Sequence, residues 1–161
     1  MQKKEITISY EEYASARELT NPDATLLGMA RATTADAYAP YSHFRVGAVA
    51  LLENGQIVTG SNQENASFPA GICAERVLLS AVSSLYPGIP IRTLAISYDN
   101  ETGPSDRPIS PCGICRQSLQ EYEQRTQHPI RLLLGGREGK IFLIPRASSL
   151  LPLAFTADEL K

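Results

Sequence analysis

Three cysteines and one glutamate are the residues whose types and spacing could do chemistry. Cys112 and Cys115 stand in the run Pro-Cys-Gly-Ile-Cys, and Cys73 stands two residues before Glu75. Each cysteine falls at the predicted start of a helix, where the helix dipole favours thiolate over thiol and prepares the sulfur as a metal ligand. The i, i+3 spacing places Cys112 and Cys115 on one helical face, so both can reach one ion. The pattern predicts a metal site with three sulfur ligands.

The number of ligands separates the kinds of zinc site. Structural sites normally have four protein ligands, whereas catalytic sites have three and leave the fourth position to water. Glu75 cannot easily bind the same ion as Cys73, but it can lie against the open position, where a carboxylate acts as a general acid and base. By itself, Cys-x-x-Cys is also compatible with a redox dithiol or with half of a zinc ribbon.

A structural zinc module is the first alternative, and it needs a fourth ligand. His43 is the only plausible donor, and in such a module Glu75 would have no task. We therefore rank this alternative low and predict no metal role for His43 or His128.

Composition and charge limit the class of protein. The chain has 161 residues, 43% of them hydrophobic and 20% charged, which is typical of one soluble globular domain. The net charge is −2 and no basic run exceeds Lys3-Lys4, so nucleic acid is not an expected partner. No apolar run approaches the roughly 20 residues of a membrane span, and the N-terminus has no signal-peptide pattern, so we expect no membrane partner and a cytoplasmic protein. An odd number of cysteines without an export signal argues against a disulfide framework.

The hydrophobic pattern predicts three helices and five main strands. Helices are predicted over 22–37, 73–85 and 112–127, and strands over 45–52, 56–60, 91–98, 130–134 and 140–144, with a short alternating stretch over 6–10. Asn54-Gly55 between two apolar runs indicates a hairpin. This order favours helices on both faces of a mixed sheet, an α/β fold.

The metal-site residues match a known signature, and four stretches of the sequence resemble one family. A first ligand, one residue and Glu, followed later by Pro-Cys-x-x-Cys, is the pattern of zinc nucleobase deaminases, with Cys here in the first position. The stretches are YAPYSHFRVGAVAL, GSNQENASFPAGICAERVLL, SPCGICRQSLQE and LLPLAF. From about Tyr38 to Leu160 the chain closely resembles the small homotetrameric cytidine deaminases. Residues 1–20, which we interpret as an N-terminal extension of a single domain over 1–161, and the loop from Asn100 to Arg107 fall outside the resemblance.

The resemblance implies a fold, a reaction and roles for the four residues above. It implies a three-layer α/β/α cytidine deaminase-like fold with a five-stranded mixed sheet. Cys73, Cys112 and Cys115 match the ligands of one zinc ion per subunit, and Glu75 matches the proton shuttle. The implied reaction is hydrolytic deamination of cytidine and 2′-deoxycytidine to uridine and 2′-deoxyuridine with release of ammonia, a step of pyrimidine salvage.

Charge balance around the metal calls for a nearby cation. Three thiolates on one divalent ion leave a net charge of −1, which would weaken the acidity of the metal. Arg76 lies three residues after Cys73 on the same predicted helix, so we expect its side chain beside that sulfur. Arg116, directly after Cys115, is expected at the solvated surface.

Further residues are candidates for substrate binding. If residues 61–65 are extended, Asn62 and Glu64 point to the same side and could together hold the hydroxyls of a ribose, and both match sugar-binding positions of the family. Phe44 matches a position that packs against the nucleoside, although a core role is also open. By resemblance, the backbone at Ala74 bonds the base and Phe155 reaches into the active site of a neighbouring subunit of a homotetramer.

Other deaminases are the remaining alternatives. Nucleic-acid editors usually have His as first ligand and need a cationic channel, and neither is found here. A nucleotide deaminase needs an Arg or Lys cluster to bind the phosphate. The carboxylate of Glu64 would instead repel a phosphate. We therefore expect a free nucleoside as substrate. A blasticidin-type antibiotic deaminase, acting on a modified cytosine nucleoside, is the closest functional alternative.

Overall fold

The computed structural model describes residues 1–160, which form three α-helices and a six-stranded sheet. The helices are α1 (Asn21–Thr33), α2 (Ala74–Leu85) and α3 (Gly113–Thr126). The strands are β1 (Glu11–Tyr13), β2 (Phe44–Leu52), β3 (Ile57–Ser61), β4 (Ile91–Asn100), β5 (Arg131–Gly135) and β6 (Ile141–Ile144). None of the helices within this range is both long and apolar enough to cross a bilayer.

The sheet is mixed and has helices on both faces. Its strand order is β1-β6-β5-β4-β2-β3, with β4 and β5 parallel and every other neighbouring pair antiparallel. Alternation along β4 separates the two cores, because Leu94 and Ile96 pack with α2 and α3 whereas Ala95 packs with α1. The predicted three-layer α/β/α fold is confirmed.

The strand count differs from the prediction. The sheet has six strands rather than five, because β1 adds to the edge formed by β6, with Tyr13 opposite Ile141. The alternating stretch over 6–10 is not a strand, and the pairing begins just after it. The unpaired backbone groups along the edge of β6 explain this addition, since a neighbouring segment can satisfy them.

The first helix is shorter than predicted. The expected helix over 22–37 is α-helical from Asn21 to Thr33 and continues as a 3-10 turn from Thr34 to Asp36. It starts at Asn21, one residue before the predicted start, because Thr20 is the N-cap: its hydroxyl accepts a hydrogen bond from the Asp23 amide at 3.4 Å, and Pro22 occupies the first turn.

The strand directions bring two helix N-termini to one edge of the sheet. Both β3 and β4 run antiparallel to β2, so β3 and β4 end at the same edge. The next α-helix along the chain after β3 is α2, and the next after β4 is α3. The cysteines at the starts of these helices therefore meet, although 39 positions separate Cys73 from Cys112.

Candidate active site

The first turn of α2 lies directly against β3 at Gly60. A Cβ atom at this position would stand 2.6 Å from the Ala74 carbonyl oxygen and 2.6 Å from the Leu78 nitrogen, distances that no side chain tolerates. The missing side chain lets the helix start close to the sheet. This contact sets the positions of Cys73, which caps α2, and of Glu75 in its first turn.

The structure brings the three cysteine sulfurs together. Cys73 and Cys112 are the N-caps of α2 and α3, and Cys115 lies in the first turn of α3. The Sγ atoms of Cys73 and Cys112 are 3.8 Å apart, those of Cys112 and Cys115 are 3.4 Å apart, and all three lie within 4.8 Å of one another. A tetrahedral zinc ion with Zn–S bonds of about 2.3 Å requires sulfurs about 3.8 Å apart. The donor set therefore fits one zinc ion.

The cluster contains no fourth protein ligand. Over residues 1–160, the group of His, Cys, Asp and Glu atoms able to share an ion consists of these three sulfurs alone. His43, the donor required for a structural zinc module, pairs instead with Glu101 at 3.2 Å. The arrangement corresponds to three protein ligands and an open vertex.

The thiols have different tendencies to ionise. Hydrogen bonding from Cys115, supported by Cys112 and by the charge of Arg76, lowers the pKa of Cys73 to about 6. The hydrogen bond to Cys73, together with burial, raises the pKa of Cys115. Of these two residues, Cys73 is therefore the one better prepared as a thiolate before an ion arrives.

Glu75 is a buried carboxylate beside the sulfurs. The residue is 5% exposed, and burial raises its pKa above the ordinary value, with a further rise from the charge of Cys73. Hydrogen bonding from the Glu75 backbone amide and from Cys115 acts in the opposite direction on this pKa. A desolvated carboxyl group next to an open metal vertex can both take up and release a proton.

The two arginines near the cluster differ in environment. The positive charge of Arg76 contributes to the lowered pKa of Cys73. Arg116 is half-buried rather than solvated, because its Nε donates to the Pro111 carbonyl at 2.8 Å and its Nη1 donates to the Leu150 carbonyl at 3.1 Å. The expectation of a solvated Arg116 was wrong, since this side chain fixes the backbone just before Cys112.

The side chains of Asn62 and Glu64 both bind the segment over 41–46. Asn62 Oδ1 accepts from the Val46 amide at 2.7 Å, and its Nδ2 donates to the Phe44 carbonyl at 2.9 Å. Glu64 Oε2 accepts from the Tyr41 amide at 2.9 Å and from the Ser42 amide at 3.3 Å. Hydrogen bonding from Ser42 and Tyr41 lowers the pKa of Glu64, so its carboxylate is ionised at neutral pH.

A cavity of about 380 Å³ opens beside Glu64. Its lining consists of Tyr41, Ser42, Glu64, Asn65, Phe68 and Gly71. The sequence reasoning missed the backbone amides of Tyr41 and Ser42 as partners of Glu64. The run YAPYSHF was recognised as a motif, but almost every residue type has a backbone amide, so the motif does not indicate which amides act as donors.

The other candidate residues have distinct places. Phe44 is half-buried, and its ring stacks on Tyr98 with centroids 4.9 Å apart and planes 13° apart. Ala74 is fully buried at the start of α2. The side chain of Phe155 is 59% exposed, and its carbonyl accepts a hydrogen bond from Gln117 Nε2 at 2.9 Å. Phe155 is thus held by α3 through its backbone while its ring faces outward.

Comparison with known proteins places this site in a family. Residues 20–128 match the family model described as the cytidine and deoxycytidylate deaminase zinc-binding region. The cytidine deaminase of Mycobacterium tuberculosis is 38% identical over 138 residues, which cover 84% of this chain and 90% of that protein. The cytidine deaminase of Halalkalibacterium halodurans is 39% identical over 124 residues, which cover 77% of this chain and 86% of that protein.

A solved structure gives the same result for the fold. The crystal structure of cytidine deaminase from Burkholderia pseudomallei superposes with a TM-score of 0.71 at 33% identity, covering 85% of this chain and all of that one. The family model also accounts for the three-sulfur cluster, since the matched region is a zinc-binding region that contains all three cysteines. The predicted family, enzyme class and zinc cofactor are confirmed: the chain belongs to the cytidine deaminase family and is a zinc-dependent deaminase.

Proposed function

We propose that this protein hydrolyses the exocyclic amine of cytidine and 2′-deoxycytidine, yielding uridine, 2′-deoxyuridine and ammonia for pyrimidine salvage. The observation that carries this proposal is the group of three sulfurs, all within 4.8 Å of one another, next to the buried carboxylate of Glu75. Three protein ligands and a neighbouring proton carrier suit hydrolysis better than a purely structural role for the metal.

Cys73, Cys112 and Cys115 would hold the zinc ion. When bound, zinc supplies the Lewis acidity that makes water nucleophilic near neutral pH. Arg76 offsets the excess negative charge of three thiolates from the side of Cys73. Arg116 holds the Pro111 carbonyl and so fixes the backbone that leads into Cys112.

Glu75 would move the protons of the reaction. Its carboxylate takes a proton from the attacking water and delivers it to ring N3, which makes C4 electrophilic. The water oxygen forms the C4–O bond. Glu75 then takes the proton of the new C4 hydroxyl and passes it to the amine, and the C4–N bond breaks as the C4 carbonyl forms, so one water enters and one ammonia leaves. Burial at 5% exposure keeps bulk water from competing for these transfers.

Glu64 and Asn62 would bind the sugar. Each has hydrogen-bonding capacity left after its contacts with the segment over 41–46, namely Oε1 of Glu64 and one N–H of Asn62. In this proposal Phe44 packs against the nucleoside and the backbone at Ala74 bonds the base. An ionised Glu64 in the cavity favours a neutral sugar over a phosphate.

We also propose a homotetramer in which residues 1–161 form one domain and active sites are shared between subunits. Phe155 supports this assembly. The residue is 59% exposed, and a large apolar side chain left this exposed in a single chain is typical of a protein–protein contact. Leu153, two residues earlier, is 93% exposed. A partner subunit would cover both side chains, and Phe155 would enter the neighbouring site.

The proposed function is tested by following the loss of cytidine absorbance together with the release of ammonia. The purified protein should convert cytidine and 2′-deoxycytidine with one ammonia per nucleoside. Treatment with a chelator should abolish turnover, and added zinc should restore it. Absence of turnover by the zinc-loaded protein would exclude the proposal, as would full activity in protein shown to contain no metal.

A further inference from the structure

Glu101 connects the loop after β4 to the segment that leads into β2. It follows the last residue of β4 and begins the loop that lies outside the family resemblance. Its carboxylate pairs with His43 Nδ1 at 3.2 Å and also accepts a hydrogen bond from Arg45 Nε. Its backbone amide donates to the His43 carbonyl at 3.0 Å. Glu101 therefore holds His43 through both its backbone and its side chain.

His43 is a residue that needs such support. Its φ angle is 55°, in the left-handed region that L-residues other than glycine seldom occupy. A backbone conformation of this kind persists only where surrounding contacts over-determine it. Here the contacts are the two bonds from Glu101 and a hydrogen bond from the His43 amide to the Ala39 carbonyl at 3.1 Å. These bonds close the turn from Ala39 to His43.

The same turn presents the donors that orient Glu64. The amides of Tyr41 and Ser42 lie inside it, and both donate to Glu64 Oε2. With Oε2 fixed in this way, Oε1 is the oxygen left for a ligand. The direction of Oε1 therefore depends on the shape of the turn, and the shape of the turn depends on Glu101.

We propose that Glu101 is a positioning residue for sugar recognition, which acts through His43 and the turn over 39–43 on the carboxylate of Glu64. The inference rests on the proposed function, in which Glu64 binds a ribose hydroxyl. Glu101 itself touches no substrate. The two backbone bonds of the turn remain when its carboxylate is lost, so the turn loosens rather than unfolds, and Glu64 Oε1 shifts from the position at which it meets the hydroxyl.

The chain supplies a closely matched control at the other end of β2. Glu53 follows β2, and its carboxylate also pairs with one arginine and one histidine, Arg92 at 2.8 Å and His128 at 3.4 Å. The side chains of Glu53 and Glu101 are 33% and 38% exposed. As exposed ion pairs, both contribute little to stability. Only Glu101 is connected to the turn that binds Glu64.

The test compares Glu101→Ala with Glu53→Ala on two substrates. Glu101→Ala should raise KM for cytidine about three- to tenfold and change kcat by less than about twofold. For 2′,3′-dideoxycytidine, which lacks the 2′- and 3′-hydroxyls, Glu101→Ala should leave KM unchanged. Glu53→Ala should leave both substrates unaffected. Glu101→Gln retains an acceptor for Arg45 and should give an intermediate KM for cytidine.

A double mutant tests whether the effect passes through Glu64. In the Glu64→Ala background, Glu101→Ala should add no further rise in KM, because the carboxylate that it positions is gone. Additive effects would overturn the proposal. An equal rise in KM for cytidine and for 2′,3′-dideoxycytidine would also overturn it, as would an unchanged KM for cytidine.

Hydrogen exchange gives a readout that does not require activity. The Tyr41 and Ser42 amides should lose protection in Glu101→Ala and retain it in Glu53→Ala. Unchanged protection in Glu101→Ala overturns the positioning role even in an active enzyme. If Glu101→Ala loses protection at these amides but the wild-type protein does not deaminate cytidine, the proposed function is overturned and the positioning role of Glu101 is not.

Discussion

Gly60 and Ala74 are in backbone contact, since a Cβ atom on Gly60 would stand 2.6 Å from the Ala74 carbonyl oxygen. This contact fixes how closely the first turn of α2 approaches β3. Cys73 and Glu75 flank Ala74, so the metal ligand and the proposed proton carrier both take their positions from this contact. A glycine in a strand thus has a direct consequence for the active site.

Substitution Gly60→Ala should displace the start of α2. The new methyl group meets backbone atoms that cannot move aside, so we expect a loss of about 1–3 kcal/mol in the free energy of unfolding. Zinc content should also fall, because Cys73 shifts relative to the other two sulfurs. Urea denaturation and metal analysis measure the two effects.

Gly28→Ala is the matched control for this substitution. Gly28 lies within α1, and a Cβ atom there would meet nothing within 4 Å. Alanine in a helix interior should raise stability by about 0.5–1 kcal/mol and leave zinc content unchanged. If Gly60→Ala behaved like Gly28→Ala, the close contact would have no importance.

Glu75→Gln should separate metal binding from turnover. The amide keeps the shape of the side chain but cannot carry a proton, so kcat should fall by about 10²–10⁴-fold or more. Zinc content should stay at one ion per chain, since Glu75 is not among the ligands. Substantial residual activity would show that the protons follow another path.

Phe155→Ala should weaken substrate binding without loss of zinc. Its ring is exposed in a single chain, and we propose that it completes the site of a neighbouring subunit. We expect KM for cytidine to rise about tenfold, in keeping with the loss of a buried aromatic contact. Leu160→Ala, at a side chain that is 76% exposed in the same C-terminal segment, serves as control. Unchanged kinetics for Phe155→Ala would argue against a shared site.

The pair of Asp23 and Arg131 should make stability depend on pH. Arg131 donates two hydrogen bonds to the Asp23 carboxylate at 2.7 and 2.6 Å, and these bonds lower the pKa of Asp23. The stabilisation is therefore present above the unfolded-state pKa of about 3.9 and is lost as the pH falls through the lower folded-state value.

Asp23→Asn measures this contribution. At pH 7 the variant should be less stable than wild type by about 1–3 kcal/mol, and the difference should shrink at strongly acidic pH. Glu12→Gln, which removes an exposed pair with Lys140, should cost no more than about 1 kcal/mol. If the stability difference between Asp23→Asn and wild type stayed constant down to strongly acidic pH, the stabilising role of the Asp23–Arg131 pair would be contradicted.

The sequence predicted the elements with a strong hydrophobic period. The helices at 73–85 and 112–127 match α2 and α3 to within one residue at each end. Apolar spacing defines their interiors, and Pro87-Gly88 after α2 and Pro111 before α3 mark where a helix cannot continue. The strand β1 was missed. Glu11 and Glu12 are exposed, so pairing with β6 rather than burial makes this segment a strand.

For the site, side-chain chemistry was predictable and backbone geometry was not. The three cysteines could be grouped from their types and their places at helix starts. The turn that binds Glu64 could not, because its donors are the amides of Tyr41 and Ser42 and its shape depends on a left-handed His43. The half-buried position of Arg116 depends on a carbonyl 34 residues away at Leu150, which local patterns do not indicate.

The central claim is that three sulfurs hold one zinc ion whose remaining vertex is open to water. X-ray absorption at the zinc edge, recorded on purified protein together with metal analysis, tests it most directly. We predict one zinc per chain, with three sulfur neighbours at about 2.3 Å and a single oxygen neighbour at about 2.0 Å. A fourth protein ligand on the ion, or purified active protein without zinc, would contradict the account.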